Sequence, residues 1–205
     1  MTHPVPMPRI CHLFASLVRE HPRGAQRADL VIVTKCPLDL DEDAKEQLKT
    51  KISQYTPADV LFSGIKYQEE LIPIFKQKAT VKKGINIVLI SGIAKSLGLE
   101  DYVISKYKPT EFTHFNFRDH YHFKESDLKN IEEKFNTFAD PKIILCTDKD
   151  AVRLSEVAQN NSFEKLPVYR LPIEVEFLGE DQKIFDKKIS DYVRQNKADF
   201  GIHSE

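Results

Sequence analysis

Ile85-Asn86-Ile87-Val88-Leu89-Ile90, running into Ser91-Gly92-Ile93-Ala94, is the stretch that decides the fold. It is apolar on both faces, short, and closed by a small-residue turn. A run of that kind reads as a strand buried on both sides of a parallel sheet. The pattern occurs twice more. Upstream, Leu30-Val31-Ile32-Val33 ends in Thr34-Lys35 and is stopped by Pro37; downstream, Ile143-Ile144-Leu145-Cys146 ends in Thr147-Asp148-Lys149-Asp150. Helical periodicity fills the intervals. Ala44, Leu48, Ile52 and Tyr55 share a face in residues 41–55, with acids in the first turn and lysines later, as a helix dipole favours. Leu128, Ile131, Phe135 and Phe138 form a stripe over residues 125–138. Strands alternating with helices predict an α/β fold, mostly parallel sheets with flanking helices.

Working outward, residues 59–67 read as a strand with Gly64 as a bend or bulge, and 71–81 as an extended edge marked by Pro73. Lys82-Lys83-Gly84 makes a turn. A helix follows the central run to about Ser105, and another covers 151–159. Strands are expected at 167–171 and at 173–178, the latter with Glu174 and Glu176 outward. A closing helix at 181–195 is expected to turn Phe185, Ile189 and Tyr192 inward. Residues 1–22, rich in Pro and His, read as a poorly ordered start, and 197–205 as a fraying tail.

The chain has 205 residues, a net charge of −1, 41% hydrophobic and 30% charged residues, an ordinary globular composition with no nucleic-acid footprint. Three scattered cysteines, Cys11, Cys36 and Cys146, give no disulfide framework and no metal pair, which suits a reducing cytosol. No apolar run approaches a membrane span and no signal peptide is visible, so any membrane contact is peripheral.

Chemistry concentrates in Phe117-Arg118-Asp119-His120-Tyr121-His122-Phe123, expected on a loop leaving a strand and entering a helix, where open α/β sheets bind ligands. His120 is a natural proton carrier. Asp119 and His120 are neighbours in sequence, so their side chains are expected to diverge. His114, Asp119, His120 and His122 also admit a metal-site reading, and hence a metal-dependent hydrolase. The strand ends carry a second signal: Thr34-Lys35 and Thr147-x-Lys149-Asp150 each place a hydroxyl and an ammonium on the ligand side of a sheet. They could read a nucleotide. A purely structural account also fits, with Thr147 capping the next helix, Lys149 and Asp150 as a surface pair, and Asp150 pairing with Arg153 one turn on. No Gly-x-x-x-x-Gly-Lys-Ser/Thr cradle occurs among the seven glycines.

Five stretches in order carry a resemblance: Arg27 through Pro37, Phe62-Ser63-Gly64-Ile65-Lys66-Tyr67, Ser91-Gly92-Ile93-Ala94, Phe117 through Phe123, and Thr147-Asp148-Lys149-Asp150-Ala151-Val152-Arg153-Leu154. Together they resemble the C-terminal half of the tetraacyldisaccharide 4′-kinase family, over residues 23–196. The resemblance implies two α/β lobes joined by a two-stranded linker: here a remnant of a P-loop-kinase-like nucleotide lobe at 23–67, the linker at 68–84 and a smaller C-terminal lobe at 85–196. It implies ATP and Mg²⁺, and transfer of phosphate to the 4′-hydroxyl of a tetraacyldisaccharide 1-phosphate, a lipid A precursor, at the cytoplasmic face of the bacterial inner membrane. It assigns His120, with Asp119, to proton removal from the sugar hydroxyl, and Thr147, Lys149, Asp150, Arg153, Thr34 and Lys35 to the nucleotide side. No protein metal ligand, nucleic-acid partner or disulfide partner is expected.

Two departures stand out. Lys95-Ser96 follow Gly-Ile-Ala where the family often has Pro, and residues 1–22 do not resemble the family's phosphate-binding part, reading instead as a replaced start. The chain alone is therefore expected to be weakly active or inactive, with unpaired strand edges that lower its solubility. The competing reading is a non-catalytic nucleotide- or partner-binding α/β module. The kinase reading requires Asp119-His120 and the 147–153 segment to converge on one crevice.

Overall fold

In the computed structural model, residues 22–93 and 97–199 are described. Residues 1–21 of the poorly ordered start expected over 1–22, Ala94 to Ser96 after the small-residue turn, and the last six residues of the expected tail lie outside them, while Pro22 opens a 3-10 turn, Pro22–Arg27.

Cα packing divides the chain into two compact units, residues up to Lys66 with those from Glu174, and Tyr67–Ile173. The first unit holds strands β1 (Leu30–Cys36), β2 (Asp59–Tyr67) and β8 (Ile173–Phe177) in the order β1-β2-β8, with helices α1 (Glu42–Ser53) and α5 (Asp181–Asp199). β1 and β2 are parallel, and their register slips between Val33 and Cys36. The irregularity expected on the Gly64 side thus lies on the facing strand, opposite Gly64. A Cβ at Gly64 would stand 2.7 Å from the Cys36 carbonyl oxygen and 2.6 Å from Leu38 Cδ2, so only glycine admits that approach. Cys36, Leu40, Leu48, Phe62 and Leu178 form a small core. Asp41 caps α1 by accepting from the Ala44 N–H at 2.7 Å.

Two expectations fail in this unit. Val175 on β8 is 70% exposed, so its strand does not alternate as its pattern suggests. On α5, Ile189 and Tyr192 stay exposed at 45% and 65% rather than turning inward. A three-stranded sheet offers too little apolar surface to cover the whole stripe of a long helix.

The second unit is built on the five-stranded sheet β3-β7-β6-β4-β5, from β3 (Ile72–Pro73), β4 (Asn86–Ser91), β5 (Phe112–Asn116), β6 (Lys142–Thr147) and β7 (Val168–Leu171). β7, β6, β4 and β5 run parallel, and β3 lies antiparallel on the edge, where Pro73 costs no ladder bond. The extended piece foreseen over 71–81 is regular only at β3; the one strand of the expected two-stranded linker at 68–84 is the outer strand of this sheet.

Every residue of β4 is buried, which is why its pattern shows no alternation. Val88 and Ile90 join Ile144, Cys146 and Val168 on one face, covered by α3 (Glu125–Asn136) and α4 (Asp148–Ala158) through Leu128, Ile131, Phe135, Ala151 and Leu154. Ile87 and Leu89 join Ile143, Leu145 and Leu171 on the other, covered by α2 (Leu97–Tyr107) through Leu99, Val103 and Tyr107. The chain leaves β4 through α2 toward β5 on one side and leaves β6 through α4 toward β7 on the other. The carboxyl ends of β4 and β6 therefore flank a topological switch point, from which α2 and α4 pass to opposite faces of the sheet, the place where open α/β sheets bind ligands.

Candidate functional site

Three loops meet at that switch point. The first is the exit of β4, Ser91-Gly92. The second is the exit of β6, where Thr147 caps α4. Its Oγ1 accepts from the Asp150 N–H at 3.3 Å and donates to Asp150 Oδ2 at 2.7 Å. The capping sets α4 three residues earlier than its apolar periodicity suggests. Asp150, 0% exposed, also accepts from the Gly92 N–H at 2.9 Å, tying the β6 loop to the β4 loop. A Cβ at Gly92 would sit 3.0 Å from Asp150 Oδ1, so a side chain there would press on the buried carboxyl.

The third loop leaves β5. Phe117 and Tyr121 stack with ring centroids 4.6 Å apart, closing the turn that carries Arg118, Asp119 and His120. The Tyr121 hydroxyl donates to Asp127 in the first turn of α3, and the same carboxylate accepts from the Lys124 N–H at 2.8 Å. His120 itself has φ of +60°, a left-handed conformation uncommon outside glycine, held at the tip of this braced turn.

The required convergence is present. Lys149 Nζ donates to Asp119 Oδ1 at 2.7 Å, and Arg153 Nη2 lies 3.4 Å from His120 Nδ1. The hydrogen bond from Lys149, reinforced by the charges of His120 and Lys149, holds the Asp119 carboxyl below its ordinary value against a smaller opposing effect of desolvation. The Asp119 and His120 side chains do not diverge as expected. The left-handed turn folds the ring back, so that Nε2 stands 3.7 Å from Asp119 Oδ2, while Oδ1 accepts from the His120 backbone N–H at 3.0 Å. The helical Asp150–Arg153 pair does not form; Asp150 is turned into the crevice wall and Arg153 toward the His120 loop.

Two buried atoms have no hydrogen-bond partner here, Asp150 Oδ1 and Arg153 Nη1. Arg153 thus keeps one guanidinium nitrogen without an acceptor, on the side chain whose Nη2 meets His120. A divalent metal fits these residues poorly. No group of three His, Cys, Asp or Glu side chains among the described residues could hold one, and Asp119 is engaged by Lys149. The four-ligand set read around His114 is not assembled: His114 instead bridges Ser91 Oγ at 2.7 Å and Glu100 Oε2 at 2.8 Å.

Thr34 and Lys35 lie in the other unit, exposed at the end of β1, with Lys35 at φ of +60° where the register slips. Sequence reading missed Asp148 and Arg170. Asp148 accepts from Arg170 and from the Ile173 N–H, bracing the start of α4 against the end of β7. Arg170 sits alone in an apolar strand and gives no signal of that role. Gly92 was visible only as part of a motif.

The comparisons with known proteins bear on this geometry. The family model described as tetraacyldisaccharide-1-P 4′-kinase matches residues 12–194. Proteins named tetraacyldisaccharide 4′-kinase from Phocaeicola vulgatus and Flavobacterium psychrophilum are each 34% identical, over 89% and 87% of this chain and 50% and 49% of their own lengths. One from Bacteroides thetaiotaomicron is 31% identical over 89% of this chain and 50% of its own. The chain thus spans about half the length of the curated relatives it matches. A crystal structure of an "apo" form LpxK from Aquifex aeolicus in complex with ATP covers 80% of this chain and 43% of its own at 18% identity, with a TM-score of 0.43, too slight a likeness to carry an argument. On the extent of the sequence match, the chain belongs to the tetraacyldisaccharide-1-P 4′-kinase family.

Proposed function

We propose that this chain contributes the His120 loop and part of the nucleotide side of an ATP-dependent kinase that phosphorylates the 4′-hydroxyl of tetraacyldisaccharide 1-phosphate in lipid A synthesis. The observation that carries the reading is the meeting of Asp119-His120 with Lys149 and Arg153 at the switch-point crevice, in a chain matched by the family over residues 12–194. ATP, where bound, supplies the phosphoryl group. Lys149 and Arg153 would hold its phosphate oxygens through their charged donors. His120 would take the proton of the attacking hydroxyl, and Asp119 would set the ring and stabilise the imidazolium. Thr147 and Asp150 brace the loop from inside and need not touch ligand. Thr34 and Lys35, at the end of β1 in the first unit, are proposed as nucleotide-binding residues of that unit. Magnesium is part of the same proposal, but no residue of this chain is assigned to it and no step here rests on it.

Work at the cytoplasmic face of the inner membrane, with peripheral contact, is part of the same proposal. Among the described residues no helix is long and apolar enough to cross a membrane.

One observation favours the second reading, a non-catalytic nucleotide- or partner-binding module: the 205 residues contain no phosphate-cradling glycine loop. Phosphoryl transfer rests on positioning and charge around the phosphates. Little turnover is therefore expected from the chain alone. Titration of the ¹⁵N-labelled chain with ATP tests both readings. Shifts at His120, Lys149 and Arg153 are expected, weakened about tenfold or more in Arg153→Met, the loss of one charged hydrogen bond. ATP leaving these resonances still would remove the nucleotide role, and turnover equal to that of a full-length relative would refute the expected loss of activity.

A further inference from the structure

From Leu71 to Leu99 the sequence contains no Asp or Glu, and it places Lys76, Lys78, Lys82 and Lys83 within eight residues. All four are exposed, and among the described residues none has a carboxylate partner, whereas Lys106 pairs with Glu69 and Lys149 with Asp119. The segment is not a loose tether. Its apolar side chains point inward, Ile74 and Phe75 against one core and Ala79 and Val81 against the other. Tyr169 pins its centre, the hydroxyl accepting from the Ala79 N–H at 2.8 Å and donating to the Ala79 carbonyl at 3.0 Å. The Gly84 N–H donates to the Tyr107 carbonyl at 2.8 Å, which sets the Lys82-Lys83 turn beside exposed Lys108 at the end of α2. The lysines are thus presented from a fixed backbone. At one end lies a hollow of about 700 Å³ lined by Ile74, Phe75, Lys76, Gln77, Glu164 and Lys165. It combines apolar side chains with two ammonium groups, and one carboxylate opposes them.

We propose that this lysine-bearing strap, residues 72–84 with its hollow, is a docking surface for an anionic lipid bilayer. Apolar side chains beside unpaired lysines suit a headgroup phosphate with the first carbons of its chains, which a nucleic acid does not offer. The net charge of the whole chain, −1, argues the same way: the positive charge is local, not the diffuse field of a nucleic-acid binder. The inference deepens the lipid-kinase reading by naming where the chain meets its membrane. It is independent of the His120 crevice, since the strap lies on residues that take no part in it.

The test is flotation of the purified chain with vesicles, without nucleotide or sugar lipid, so that its outcome is separate from that of the kinase reading. Vesicles of phosphatidylcholine with about a third phosphatidylglycerol are compared with phosphatidylcholine alone. Each lysine close to such a surface strengthens binding roughly fivefold. The quadruple variant Lys76→Gln, Lys78→Gln, Lys82→Gln and Lys83→Gln is therefore expected to bind about six hundredfold more weakly, with an unchanged far-ultraviolet spectrum. The chain has no tryptophan. Gln77→Trp thus supplies a single reporter in the hollow, whose emission should shift to the blue on anionic vesicles only. This second measurement decides the matter if the quadruple variant misfolds. Equal binding to both vesicle types, no binding at low salt, undiminished binding by a folded quadruple variant, or binding to duplex DNA without binding to vesicles overturns the proposal.

Discussion

Asp150→Ala isolates the strut beneath the crevice. Asp150 is fully buried, and its Oδ2 receives both the Gly92 N–H at 2.9 Å and the Thr147 hydroxyl at 2.7 Å. Truncation leaves a buried amide and a buried hydroxyl without that acceptor, each costing about 1–3 kcal/mol. Thr147 still caps the Asp150 N–H, so the helix start is kept. The expected loss is about 3 kcal/mol. Asp150→Asn keeps one oxygen for the Gly92 N–H and places an amide where Oδ1 now has no partner; its loss should be about 1 kcal/mol. The chain forms two units, so a single unfolding midpoint would blur the answer. Amide exchange read residue by residue is the better assay. Gly92 should exchange about a hundredfold faster in the alanine variant, the equivalent of some 3 kcal/mol of local opening, with a much smaller change in the asparagine variant. Urea unfolding followed at 222 nm provides the global check. Gly92 protection unchanged in Asp150→Ala would refute the strut, and equal losses in the two variants would refute its hydrogen-bonding basis.

Further outcomes follow from the same structure. Leu128→Ala removes a fully buried side chain from the α3 face of the second unit and should cost about 3 kcal/mol of its stability by urea unfolding. Lys149→Met deletes the donor that depresses the Asp119 carboxyl, so a ¹³C titration should show its pKa rising toward the ordinary carboxylate value. Because that pKa is lowered in the folded chain, the stability it contributes is present above the unfolded value and lost as pH falls through the folded one; Lys149→Met should flatten that acid limb. Complete burial pushes the Cys146 thiol well above its ordinary value, so it should resist a thiol reagent at pH 8 in the native chain and react in urea. Rapid native labelling at Cys146 would contradict its burial.

The strands and helices of the second unit were legible because the information is local. Ile85 to Ile90 and Ile143 to Cys146 have no polar face, and only a sheet covered on both sides accommodates them. The position of the crevice was partly legible too. Parallel strands send all their carboxyl ends to one edge, so Gly92, Asp119 and Thr147 had to share it. Residues 181–193 were not legible in the same way. Their apolar spacing announces a helix, but burial of Ile189 and Tyr192 depends on how much sheet stands opposite, and the pattern does not carry that quantity.

The amino-acid sequence by itself determined the α/β alternation, the family, and the set of polar residues delivered to the strand ends, because periodicity and motif order are properties of the chain. Only the tertiary structure decided what those residues do to one another. It turned Asp150 inward to hold the Gly92 amide, sent Arg153 to His120 rather than to its helical neighbour, and folded the His120 ring back toward Asp119. The physical reason is that each outcome depends on a left-handed turn or on contacts across about thirty residues or more, where several pairings satisfy the same local pattern and packing selects one.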